Sequence, residues 1–166
     1  LESSTHRLRG VGFNSSVLRH TKEPDMLDTR LYILMRSDMV SMNPGKGMAQ
    51  AAHAANAFIH NVDETMRKFE TTVWSEQAAF VRHWQRQTPQ GFGTTITLEV
   101  PSEKELRSHI DTAQELGLFS GTVHDPTYPV RDGKITHLIP VDTCGYIFVS
   151  DPENLPSATR QLSLHP

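Results

Sequence analysis

The chain has 166 residues, of which 37% are hydrophobic and 21% charged, and its formal net charge is −3. That length suits one domain with a real core, and the composition is that of a globular rather than a disordered chain. A net acidic surface excludes an overall polycation, so any nucleic-acid partner has to be met by a local basic patch. The single cysteine, Cys144, excludes an intrachain disulfide and a multi-cysteine zinc site, and it fits a reducing, cytoplasmic compartment. No stretch approaches the roughly 18 apolar residues of a membrane helix, and no signal-peptide core is present near the start.

Residues 1–27 lack sustained periodicity and are expected to form a flexible arm. Arg7, Arg9 and Arg19 with scattered serines leave an organellar targeting segment as the alternative. From Leu31 to Met35 a short continuous apolar run predicts a strand covered on both faces. Asn43 followed by Pro44 is a helix-start signal, and six alanines between Met48 and Ile59 predict a helix that lies close to its sheet. A second helical segment is expected from about Asp63 to Gln85. Thr94 to Val100 alternates with period two and reads as a strand. Ser102 and Glu105 form a capping box for a helix reaching about Leu116, with Gly117 as its stop.

Phe119 to Val123 reads as a third strand, and Asp125 to Lys134 as a loop rich in turn residues. Ile135 to Val141 and Tyr146 to Val149 supply a last strand or a strand pair. Residues 152–166 read as an exposed C-terminal tail. The expected architecture is thus a single α/β domain over residues 28–151, with a mixed sheet of four strands, or five, covered by helices.

The chemistry concentrates in Asn43-Pro44-Gly45-Lys46-Gly47 and the helix that follows. Two glycines in a first helical turn cost roughly 1 kcal/mol each relative to alanine. Lys46 adds a cation where the helix dipole is already positive. Local conflicts of this kind are expected at functional sites, and an anionic or charge-developing ligand at this terminus resolves all three. The alternative is a solvated lysine in a flexible loop. A Walker A loop is excluded, because Val40 and Gly47 stand where it needs glycine and Ser or Thr. Gln50 and His53 follow Lys46 by four and seven residues, which places all three on one helical face. His53 could move protons there, or be a helical histidine satisfied by a neighbouring carbonyl. A second cluster, His124-Asp125-Pro126-Thr127-Tyr128-Pro129, follows a predicted strand end, where open α/β sheets bind ligands. Asp125 could orient a water there, or merely cap a proline-rich turn. No histidine spacing suggests a metal, and no G-x-S-x-G elbow is present.

These residues resemble the opening motif of the type-two peptidyl-tRNA hydrolases: a strand ending in Arg36-Ser37-Asp38, the turn Met42-Asn43-Pro44-Gly45-Lys46, and the helix Ala49-Gln50-Ala51-Ala52-His53-Ala54. Thr97 to Leu106, Leu116-Gly117-Leu118 and Asp125 extend the likeness, which covers roughly residues 29–151. The resemblance implies an α/β domain with a four-stranded mixed sheet, a homodimer, no metal and no organic cofactor. It implies hydrolysis of the ester that joins a peptide to the 3′ ribose of tRNA. Its essential lysine falls on Lys46, its helix glutamine on Gln50, its histidine on His53 and its exit-loop aspartate on Asp125; beside the resemblance, the turn itself offers Asn43, Gly45 and Gly47 as substrate-binding residues. The chain departs from the family in having Asn43-Pro44 in place of a first Gly-Lys. It also has Pro129 where the family has a threonine, so that Thr127 or Thr143 takes that role, and a longer connection before the last strand. A binding module for RNA or protein that retains the fold without catalysis is the alternative, and hydrolysis of another acylated nucleotide or small ester is a third reading.

Overall fold

In the computed structural model, which describes residues 27–68 and 72–166, the apolar run near the start is strand β1, Arg30–Arg36. Helix α1 (Pro44–Lys68) and helix α2 (Thr72–Arg86) follow, then strand β2 (Thr95–Val100) and helix α3 (Glu103–Glu115). Strands β3 (Ser120–Asp132) and β4 (Ile135–Val149) form a long hairpin, and a 3₁₀ turn (Pro152–Asn154) leads to the short helix α4 (Ser157–Arg160). The four strands make one sheet in the order β2-β1-β4-β3, with β1 and β2 parallel and the other pairs antiparallel. The mixed α/β domain expected from the sequence is therefore present, with four strands among the described residues. The 1–27 arm lies outside them except for its last residue, Leu27.

The continuous apolar character of β1 follows from its central place. Leu31, Ile33 and Met35 face one core with Phe58, Trp84 and Phe148, while Tyr32 and Leu34 face another with Leu106, Ile110 and Val149. Strand side chains alternate, so a strand covered on both faces has no position left for a polar residue. α1 and α2 cover the first face and α3 the second. The alanines of α1 let Phe58 reach the sheet, where it stacks on Phe148 with ring centres 5.0 Å apart and meets Trp84 edge-on at 5.7 Å. Gly117, at φ 73°, ends α3 in the left-handed conformation its sequence position predicted.

Three expectations need correction. α1 is a single helix through Asp63, so the second helical segment begins nine residues later than its expected start, at Thr72. The expected loop from Asp125 to Lys134 is instead mostly strand: β3 runs to Asp132 and turns through Gly133 and Lys134 into β4. Pro126 does not break the strand because it falls in a bulge between Asp125 and Tyr128, and β3 is an edge strand, where a missing N–H is tolerated. Gly133-Lys134 is the two-residue hairpin turn, with Gly133 supplying the positive φ of 57° that its first position requires.

Residues 152–166 are likewise not a free tail. Leu155 and Thr159 are buried. Beyond them the chain caps the open edge of β2, the Glu99 N–H donating to the Ser163 carbonyl at 2.9 Å and the His165 N–H to the Thr97 carbonyl at 3.0 Å.

His109 of α3 links this segment to the domain through a 3.0 Å hydrogen bond with the Thr159 hydroxyl. Burial lowers its pKa from the ordinary 6.5, and Glu105 only partly opposes this. Between the folded and unfolded values the unfolded chain binds a proton that the folded chain does not, so this part of the stability is present at higher pH and falls as pH drops below 6.5. We expect the unfolding midpoint in urea to fall between about pH 7 and 5 in the wild type, and the fall to be smaller in His109→Gln.

Candidate functional site

The site forms where the end of β1, the start of α1 and the bulge in β3 converge. Asn43 caps α1: its side-chain oxygen accepts the Lys46 N–H at 2.9 Å, and its carbonyl accepts the Gly47 N–H at 2.9 Å. Two of the first-turn N–H groups are thereby spent on the cap, and Pro44 has none. The Gly45 N–H is left without a partner among the described residues. A side chain at Gly47 would meet open space, so the turn is bare on its outer side.

One turn into the helix, Gln50 is 4% exposed in an alanine-rich surround. Its amide nitrogen donates to Asp125 Oδ2 at 2.7 Å, and its oxygen accepts from the Thr143 hydroxyl at 2.6 Å. Because an ionised carboxylate can only accept, Asp125 fixes which way the amide faces. Thr143 lies on β4 and is wholly buried. The three side chains make a chain of hydrogen bonds from the core of the sheet to the half-exposed carboxylate. Asp125 Oδ1 also accepts the Thr127 N–H at 3.0 Å, which closes the local turn of the bulge.

Lys46 sits one turn above Gln50. Its ammonium donates to the Pro129 carbonyl and lies 4.7 Å from the centre of the Tyr128 ring. Tyr128 is wholly buried, with its hydroxyl 3.3 Å from Ser41 Oγ and 3.6 Å from Met42 Sδ. Lys46 and Asp125 form no direct ion pair; they share the site through Gln50, which stands beside one and bonds the other.

A network of charges fixes the outer wall. The buried Arg36 guanidinium grips both oxygens of Asp38 at 2.9 and 2.8 Å, reaches Glu103 at 3.1 Å, and donates to the Asp142 carbonyl at 2.7 Å. Hydrogen bonding to Arg36 lowers the Asp38 pKa, and that to Asp38 raises the Arg36 pKa. The Asp142 carboxylate takes Arg107 at 2.6 Å and His124 Nδ1 at 2.8 Å. That contact anchors His124, the residue before Asp125.

Of the residues singled out in the sequence, Lys46, Gln50, Asp125 and Thr143 are brought together, with Asn43, Gly45 and Gly47 at the rim. Thr127 is exposed, with its hydroxyl 3.5 Å from Asp125. His53 is exposed and has no hydrogen-bond partner among the described residues, so the expected Lys46–Gln50–His53 stripe does not act as one hydrogen-bonded unit. Sequence reasoning gave no role to Tyr128, Asp142 or Arg107. An aromatic side chain set among prolines was the only signal for the first, and the pairing of α3 with β4 was invisible for the other two. Cys144 is no nucleophile: burial pushes its thiol up to about 12, and its sulfur lies against the Gln50 carbonyl at 3.4 Å. Among the described residues no group of His, Cys, Asp or Glu is arranged to hold a metal ion, and no helix is long and apolar enough to cross a membrane.

A four-stranded mixed sheet covered by helices, with a polar site built from a lysine, an amide, a carboxylate and a threonine, defines the α/β class of this protein. The family comparison agrees: the chain belongs to the family described as peptidyl-tRNA hydrolase PTH2, whose model matches residues 29–164. No individual curated protein matches the chain. The match extends through the packed C-terminal segment, beyond the stretch over which the sequence motifs show the resemblance.

Two outcomes are expected. Thr143→Val keeps the shape but leaves the Gln50 oxygen buried without a donor, and should lower the unfolding free energy in urea by about 1–3 kcal/mol. Cys144 should resist alkylation in the folded protein near neutral pH and react at once in denaturant, as read by mass spectrometry.

Proposed function

We propose that the protein hydrolyses the ester of peptidyl-tRNA, releasing peptide and reusable tRNA by direct attack of water. Family membership supports the reaction class. The observation that carries the reading is the bridge from Thr143 through Gln50 to Asp125, which holds a half-exposed carboxylate in a fixed orientation. Two of the roughly four lone-pair sites of Asp125 are taken by Gln50 and Thr127. The remaining ones accept a proton from the attacking water, so Asp125 serves as general base.

Lys46 stabilises the negative charge that develops on the ester oxygen. Its contact with Pro129 uses one of three N–H donors and leaves two for the substrate. The Gly45 N–H adds a neutral donor at the positive end of α1. Gln50 and Thr143 position the base, Asn43 and Gly47 shape the rim, and Thr127 steadies the bulge. His53 has no step in this mechanism. The homodimer and the cytoplasmic role in translation that the resemblance implies belong to the same proposal.

Lys46→Ala should reduce kcat/KM for N-acetylaminoacyl-tRNA by about a hundredfold, near 3 kcal/mol, with unchanged circular dichroism. Asp125→Asn should abolish most turnover, whereas His53→Ala should retain it. One observation favours a binding module instead: the Lys46 ammonium already has a partner in Pro129. Absence of tRNA release by the wild type at high protein concentration would establish that second reading. Equal cleavage of blocked and free aminoacyl-tRNA would instead indicate a different ester substrate.

A further inference from the structure

The long β3–β4 hairpin projects past the sheet and forms one wall of a cleft of about 780 Å³. The opposite wall is the start of α1. Asn43 and Lys46 stand on the helix side, Arg131 and Thr136 on the hairpin side. Arg131 and Thr136 are directly opposed in the strand register, so they share one face of the arm. Alternation sends the neighbouring Asp132 to the other face.

Among the described residues, Lys46 and Arg131 are the only ionisable ones that line this cleft, and both are cationic. Arg36 and Arg107, the arginines beside the catalytic bulge, are each paired with carboxylates. Arg131 has no ion-pair or hydrogen-bond partner among the described residues. An unpaired guanidinium facing an unpaired-by-acid ammonium across a cleft fits an anion between them. The volume lies within the roughly 300–1,000 Å³ typical of ligand sites, room enough for a nucleotide unit. A chain of net charge −3 needs such local cations to hold a polyanion.

We propose that the hairpin arm is a substrate-binding device in which Arg131, across the cleft from Lys46, contacts a backbone phosphate in the single-stranded 3′ end of the tRNA. This rests on the hydrolase reading for the identity of the substrate. Lys46 serves the reacting ester, and Arg131 holds the strand that leads to it. Arg131 is therefore a binding residue whose loss affects KM rather than kcat.

The test uses the full chain and a tRNA whose N-acetylated amino acid is joined to the 3′ end by an uncleavable amide. Affinity is measured against salt concentration. Arg131→Ala should weaken binding about tenfold at low salt and flatten the salt slope by about 0.7, the single-strand value for one phosphate. Arg131→Glu should weaken it further, and Arg131→Lys should restore most of it. With cleavable substrate, Arg131→Ala should raise KM and leave kcat within about twofold. Cleavage of N-acetylaminoacyl-adenosine, which has no phosphate, should not change.

Arg86→Ala, at the exposed end of α2 beside the start of β1, serves as the charge control. An equal loss of affinity from Arg86→Ala, or none from Arg131→Ala, overturns the assignment. If the wild type binds the amide but cleaves nothing, the hydrolase reading fails while the ratio of affinities still decides the role of Arg131. If the wild type does not bind the amide at all, both fail.

Discussion

The site depends on one buried amide. Gln50 is the only polar side chain among the buried residues of α1, and each end of it needs a partner, since a stranded buried polar atom costs about 1–3 kcal/mol. Its partners lie on two different strands, Thr143 on β4 and Asp125 on β3. The requirement therefore fixes the depth and rotation of the helix on the sheet. Alanine elsewhere on α1 permits the close approach; the amide decides where it stops. With the helix fixed there, Lys46 projects from the turn above, at the mouth of the cleft.

The bulge in β3 is the second half of the arrangement. In a regular strand, pairing would continue unbroken from Asp125 to Tyr128. The two unpaired residues between them let the Asp125 carboxylate face Gln50 while Tyr128 turns into the core beneath Lys46. On the outer side, Asp142 joins Arg107, His124 and, through its carbonyl, Arg36. One polar cluster, buried at Arg36 and Asp142 and exposed at Arg107 and His124, thus braces the end of β1, the start of α3 and both strands of the hairpin, next to the residue that bears the carboxylate. The two buried members, Arg36 and Asp142, would each be left uncompensated by loss of their partners, which holds the local geometry to a single arrangement.

Much of the frame could be read from particular residues. The Leu31–Met35 run, the Asn43-Pro44 start, the alternation before Pro101 and the Ser102 cap all express local preferences, and all appear where those preferences place them. Lys46 was legible because Gly45, Lys46 and Gly47 oppose the helix they begin. Asp125 was legible as a carboxylate at a strand exit, though not as part of a bulge. The hairpin was misread because Pro126, Pro129 and Gly133 signal turns wherever they occur, and only an edge position makes two of them compatible with a strand.

The sequence by itself determined the α/β class and the order of its elements, and it pointed to the two segments of the candidate site, because periodicity, capping and glycine placement act over a few neighbouring residues. Only the tertiary structure decided that Gln50 joins Thr143 to Asp125, that His53 stands outside this hydrogen-bonded chain, and that residues after Asp151 seal the edge of β2. Those contacts join residues as far apart as Gln50 and Thr143, and they form because buried polar atoms and open strand edges must find partners wherever the packed chain provides them.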